Sequence, residues 1–338
     1  MFDWAAAATV TRGLTCCLIA AAAWTARAAP VAGAEGKAGL RGTVEKTSVL
    51  VHAGKELLLE YRYADVPRKP YVKRLLTPGG LNLLRDAPHD HLHHHGVMFA
   101  VAAGGVDFWS EGRKSGRQVH RAMDGVKVER RGGQPMAVFT EQLDWLSADG
   151  KTALQERRTI HVCRAADAEA TLLTWRGELV PPPGGAAAKL TGSHYFGLGM
   201  RWIESMDKVG RFRLAGGRKR ESGTHVRGDE YVTPAAWCAY TCRLKDKAVT
   251  AAMFGHPENY RGATHWFTMR KPFAYLSATI NLWKQPATVQ KSKPLALRYA
   301  VVLWDGQVTA ERIGSLYRQW SAWFATRRPK PSKRSDQR

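Results

Sequence analysis

Short runs in which apolar and polar residues alternate, or β-branched residues crowd together, recur along most of the chain. Runs over 48–52, 56–63, 97–102, 126–130, 136–143, 155–162 and 171–179 are of strand length, with turn formers such as Gly104-Gly105, Asp149-Gly150 and the 181–185 stretch between them. The second half continues with 248–254, 273–282 and 295–303. One helical period stands out, from about 310 to 325, with Thr309 at the N-cap position and Ile313, Leu316, Tyr317 and Trp320 at helical spacing. Many strands closed by one helix predict an all-β fold, a large antiparallel β-sandwich with one C-terminal helix. No internal repeat or linker breaks residues 41–326, which are expected to form a single domain.

Composition adds two bounds. Formal charge is +22 over 338 residues, and the 327–338 tail holds six basic residues against Asp336. Such diffuse basicity suits an anionic polymer or a plain solvated surface. No recognition helix, zinc-finger spacing or aromatic-basic RNA motif accompanies it, so nucleic acid is not an expected partner. Near the start, an apolar run over 14–23 follows Arg12 and precedes Ala26-Arg27-Ala28, the layout of a cleavable secretory signal over 1–28. Export to a periplasmic or extracellular location follows, with 29–40 a disordered linker and 327–338 a disordered basic tail. No later segment reaches the ~20 apolar residues of a transmembrane helix. Cys163, Cys238 and Cys242 are the cysteines beyond the signal. If Cys238 and Cys242 share a strand, their Cα atoms lie roughly 13 Å apart, which leaves buried free thiols.

The densest chemistry is Arg85-Asp86-Ala87-Pro88-His89-Asp90-His91-Leu92-His93-His94-His95-Gly96, which puts five of the twelve histidines within seven residues. Read as extended, it places His91, His93 and His95 on one side and Asp90, Leu92 and His94 on the other. Acid-base work or sugar contact ranks first for these imidazoles, a structural role second and metal binding third. A metal site needs a defined ligand set and a second shell, and no H-E-x-x-H motif corroborates one. If Gly104-Gly105 turns a hairpin, the strand after it returns Trp109 and Glu111 toward the histidines.

His194 and Tyr195 sit in a glycine-flanked segment, 193–199. His256, Asn259 and Arg261 fall in a polar loop after an apolar strand, with Trp266 beyond it. Glu156 and Arg157 read as part of a surface ladder, with a buried pair as the alternative.

The strings TPGGLNLLRDAPHDHLHHHG, GVDFWSEG, LQERRTI, HYFGLG, AAWCAY, GHPENYR and ALRYAVVLWDG, taken in that order, resemble the PmoA-like family of unknown function. The resemblance spans about 45 to 322. That family is labelled after a methane monooxygenase subunit, an integral membrane protein, whereas this chain has no predicted span. What the resemblance implies is a secreted sandwich of the galactose mutarotase-like supersandwich type, found among carbohydrate-utilisation proteins; HYFGLG is similar to the histidine-bearing strand of mutarotases.

Together these readings give an exported carbohydrate-active protein, an enzyme of epimerase, lyase or hydrolase type. His91, His94 or His95 with Glu111 form its acid-base set. Arg85, Asp90, Trp109, His194, Tyr195, His256, Asn259, Arg261 and Trp266 shape a pocket for a carbohydrate or other small molecule. One alternative is a non-catalytic glycan-binding envelope protein. Another is a metal-dependent enzyme with a divalent ion at the 89–95 loop. The sequence itself requires no cofactor.

Overall fold

A computed structural model describes residues 39–326. Two large antiparallel sheets face each other. The first has ten strands, in the order Leu40–Val44, Ser48–Ala53, Glu56–Arg62, Tyr71–Leu75, Val97–Ala100, Gly197–Arg201, Tyr275–Thr279, His265–Met269, Glu230–Pro234 and Thr224–Arg227. The second has nine, in the order Arg211–Leu214, Trp237–Leu244, Lys247–Gly255, Leu295–Asp305, Ala170–Val180, Thr152–Ala165, Gln134–Leu146 and Arg117–Met123, with Lys127–Arg131 also pairing with Gln134–Leu146. A four-stranded sheet has the order Ala287–Gln290, Ala187–Thr191, Ala102–Ala103 and Val106–Asp107. The architecture is the expected β-sandwich with, among the described residues, one α-helix, Ala310–Phe324, whose N-cap Thr309 hydroxyl accepts from the Arg312 amide.

Side-chain alternation explains the layering. Val301 and Leu303 belong to the core between the sheets, while Ala300, Val302 and Trp304 pack with Ile313, Leu316, Trp320 and Phe324 of the helix. Leu295–Asp305 is therefore apolar on both faces, which is why it reads as a continuous run. Trp320 adds a bond from its indole N–H to Thr174 Oγ1 at 2.9 Å.

The inter-sheet core is fixed by contacts such as Phe99 on Trp145 (5.9 Å between ring centroids) and Tyr61 on Trp175 (6.3 Å). A buried charge network crosses it. Arg158, fully buried, forks onto Glu156 at 2.9 and 2.7 Å and donates to Tyr61 Oη at 2.9 Å and Gln118 Oε1 at 2.8 Å. The Tyr61 hydroxyl donates to Glu141, whose other oxygen lies 2.9 Å from His120 Nδ1. The expected ladder of Glu156 with Arg157 is corrected here. A period of two puts Glu156 and Arg158 on the inner face and turns Arg157 outward.

Cys238 and Cys242 share the strand Trp237–Leu244, and with Cys163 they are buried free thiols. Among the described residues no helix is long and apolar enough to cross a membrane. The predicted signal over 1–28, most of the 29–40 linker and the 327–338 tail lie outside the described residues.

Candidate functional site

Strand register identifies the face on which the site is built. Phe99 pairs with Leu198, Leu198 with Ala278 and Ala278 with Trp266, so all four point toward the second sheet. The residues between them point the other way: Tyr71, Met98, Gly199, Ser277 and Phe267 form one row, and Arg201, Tyr275 and Met269 form the next. This outward face of the ten-stranded sheet is roofed by the histidine loop and by the segment that carries Trp109.

Two glycines allow the roof to sit close. Gly96 has φ +35° and a Cβ there would lie 2.1 Å from the Val72 carbonyl, so only glycine lets the loop turn back into its strand. Gly199 leaves the space that Tyr275 and Trp109 fill.

The loop is not extended. His91 N donates to Pro88 O and His94 N to His91 O, both at 2.9 Å, while Asp86 and His95 form a bridge pair at the base. These turns overturn the expected alternation. His91, His93 and His94 share one cleft, and His95 turns away from it against the Tyr71 ring, 4.6 Å between centroids. His91 and His94 stack at 4.8 Å, and His94 stacks on Tyr275 at 4.9 Å.

His95 is buried between two carboxylates. Its Nδ1 lies 2.7 Å from Asp86 Oδ1 and its Nε2 lies 3.1 Å from Glu111 Oε1. Tyr71 donates to the other oxygen of Asp86 at 2.9 Å, and Lys69, fully buried, donates to Glu111 Oε1 at 2.8 Å and to the Trp109 carbonyl at 2.9 Å. Burial opposes charge on His95, but the bonds to Asp86 and Glu111 outweigh it and hold the imidazole above its ordinary pKa. Burial likewise opposes ionisation of both carboxylates, and their bonds to His95 outweigh it and lower them. The two-residue turn at Gly104-Gly105 is present, with Ala102–Ala103 pairing Val106–Asp107, and it returns Trp109 and Glu111 to the histidines.

In front of this network lies a cleft of about 400 Å³, lined by His91, His93, His94, Tyr195, Arg227, Glu230, Phe267, Met269, Pro272, Phe273 and Tyr275. Burial is the main cause that lowers two of the imidazoles facing it. His93 falls to about 4, helped by the Lys69 charge, and His94 falls far below the usual histidine range, helped by His93 and His91. Both rings are therefore neutral near pH 7, each with one donor and one acceptor. Opposite in chemistry is Glu230, whose Oε2 lies 2.9 Å from His194 Nε2 and 3.1 Å from Arg227 Nε. His194 is lowered by burial against the raising effect of Glu230. Several buried polar atoms here have no protein partner: His94 Nδ1, the Tyr275 hydroxyl and, next to the cleft, Trp109 Nε1 and Arg201 Nε and Nη1. His91 Nδ1 lies 3.2 Å from Asp90 Oδ2. Arg201 lies over the Phe273 ring, 3.6 Å from its centroid, with Asp90 at 3.5 Å.

The sequence-predicted residues thus divide. His91, His94 and Tyr195 line the cleft, Asp90 and His194 contact lining residues, and Trp109 packs behind His94 at 6.2 Å and against Phe196 at 5.1 Å. His95 and Glu111 lie in the buried network. Arg85 pairs with Glu204 at 3.3 Å. His256 contacts the Ser321 carbonyl of the helix, Asn259 clamps the backbone of Arg298, and Arg261 donates to the carbonyls of Ile280, Gln285 and Pro286. Trp266 is core, its indole N–H on the Ala235 carbonyl. None of these last four lines the cleft. Sequence reading missed Lys69, Asp86, Arg227, Glu230 and the aromatic floor. Asp86 stood within the histidine-rich constellation, but Glu230 and Tyr275 carry no motif. Among the described residues no group of three or more His, Cys, Asp or Glu side chains is arranged to hold a metal ion.

A model for a family of unknown function, DUF6807, matches residues 48–318. The expected PmoA-like membership is corrected by this match, since no model of that name matches the chain. No curated protein matches. Among solved structures, the chain is similar to the α-galactosidase of Lactobacillus brevis (6% identity, TM-score 0.47, 83% of this chain and 42% of that one) and to the GH36 α-galactosidases AgaA (11%, 0.46, 78% and 40%) and AgaB (11%, 0.44, 81% and 41%) of Geobacillus stearothermophilus. The chain spans about two-fifths of the length of these proteins. At such identities and scores the likeness assigns no activity to it.

Proposed function

We propose that this chain, which belongs to the DUF6807 family of unknown function, is a sugar-acting enzyme whose ligand lies in the cleft on the outer face of the ten-stranded sheet. The observation that carries the reading is one aromatic-floored cleft that His91, His93 and His94 line together with Glu230 and Arg227. Sugar hydroxyls both donate and accept, as neutral imidazoles do, and the C–H faces of a pyranose suit rings such as Phe267 and Phe273. Glu230, oriented by His194 and Arg227, and the neutral ring of His93 are the groups positioned to move a proton on such a ligand. The apolar run over 14–23 supports export, which would put the site in contact with sugars outside the cytoplasm.

The test is a panel of neutral mono- and disaccharides, followed by calorimetry for binding and NMR for product. Glu230→Gln is expected to lower turnover at least ~100-fold while affinity changes less than about threefold. Saturable binding without any product in the unaltered protein would replace the enzyme reading by a binding module. Absence of binding to every sugar would end both.

A further inference from the structure

A second concavity, unrelated to the cleft, lies on the nine-stranded sheet beside its edge strand Arg211–Leu214 and the start of the helix. Its volume is about 830 Å³, and among the described residues seven cationic side chains line it against a single carboxylate, Glu221. Arg218, Lys219 and Arg243 are exposed. Arg220 is different: its side chain is 6% exposed, its Nε donates to Glu221 at 2.8 Å and it pairs through Nη2 with Asp229, yet its Nη1 is buried with no partner. Arg270, which shares Asp229 at 3.6 Å, also has an unpartnered Nε. The helix begins at Ala310, itself part of the lining, so the positive end of the helix adds to the potential, offset in part by Glu311. Like charges brought together in one concavity focus the field and repel one another, a cost that an anionic occupant removes.

We infer that this groove binds an acidic oligosaccharide through carboxylates spaced along its chain. The volume holds several residues of such a chain rather than one ion. Among the described residues Phe212 is the one aromatic side chain lining the groove, and it packs tilted against Tyr240 at 4.7 Å. The stacking platform that a single-stranded nucleic acid needs is therefore missing from the lining. The inference stands whether or not the sugar-acting reading of the cleft holds, because it uses none of the same residues.

The experiment is titration of the full chain with a galacturonate hexamer, against a galactose hexamer, inorganic phosphate and a thymidylate hexamer. Only the galacturonate should bind, with affinity falling roughly tenfold as ionic strength rises from about 0.02 to about 0.2 M. The double substitution Arg218→Glu and Arg243→Glu should weaken binding at least about tenfold, while Lys127→Glu with Arg130→Glu, on a distant exposed hairpin, should change it less than about threefold. Equal losses from both pairs, or none from the groove pair, would overturn the site. Tighter binding of the thymidylate would overturn the glycan assignment, and full competition by phosphate would reduce the groove to a single-anion site. Thermal unfolding of both variants separates a lost site from a lost fold.

Discussion

His95 Nδ1 and Asp86 Oδ1 lie 2.7 Å apart at the base of the histidine loop, and the two residues also pair through their backbones. One charge pair thereby closes the loop that presents His91, His93 and His94. Because the folded pKa of His95 is raised, its contribution to stability is fully present below about pH 6.5, the unfolded value, and is lost as pH rises through the folded value. Asp86 and Glu111 are lowered, so theirs is present above about pH 4 and lost as pH falls through their folded values. His95→Gln should cost about 1–3 kcal/mol near pH 6, and the gap to the unaltered protein should narrow toward about pH 9. Urea unfolding at both pH values measures it; a constant gap would mean that His95 carries no charge.

His93 and His94 act in the opposite sense. Both folded values are lowered, so the unfolded chain binds protons first and stability falls as pH drops below about 6.5 toward the value of about 4 for His93. Histidine NMR titration should show the His93 and His94 rings neutral down to about pH 5. Midpoints near 6.5 would place both rings in water and remove them from the cleft.

The Tyr275 hydroxyl is buried without a partner. Tyr275→Phe removes it and keeps the ring under His94, so folding stability should stay within about 0.5 kcal/mol or rise. Affinity for a sugar found in the screen should fall about tenfold, or ~1.4 kcal/mol. Unchanged affinity would show that no ligand reaches this oxygen.

A methyl group at position 199 would meet Tyr275 Oη at 1.8 Å and the Trp109 ring at 3.1 Å. Gly199→Ala should therefore destabilise the fold by about 1–3 kcal/mol or more and abolish binding in the cleft, as read by thermal unfolding and calorimetry. A variant that folds and binds normally would mean that the roof moves freely over the sheet.

Arg158 and Glu156 form a pair with no exposed side-chain surface. Either residue replaced by leucine leaves a buried charge and should cost about 3–5 kcal/mol. The double leucine variant should cost clearly less than the two singles together, and strict additivity in denaturant unfolding would contradict the pairing.

Legibility followed how local the determinant was. Ala310–Phe324 and Leu295–Asp305 could be read because their apolar period, or its absence, is written in adjacent residues. The approach of Glu111 to His95 was readable through the Gly104-Gly105 turn. The fine placement of the histidines was not: Pro88 and the turn bonds that follow replace an extended period with a folded one, which separates His95 from His91 and His93. Glu230 and Tyr275 were beyond reach for another reason. Each enters the cleft through pairing between strands distant in sequence, and Tyr275 reads by composition as ordinary core. His256, Asn259 and Arg261 had loop polarity that resembles a binding site, but their bonds hold backbone.

The doubly buried strand Leu295–Asp305 also bears on the order in which the molecule can be assembled. It lies between Lys247–Gly255 and Ala170–Val180 in the nine-stranded sheet, and it is later in sequence than both. Until it has left the ribosome, that sheet is two separate ribbons with bare edges, each ready to pair with a neighbouring nascent chain. Release of the sandwich from that hazard is thus a late event of synthesis, and a chain stopped before residue 295 would be a seed for aggregation rather than a smaller version of the fold.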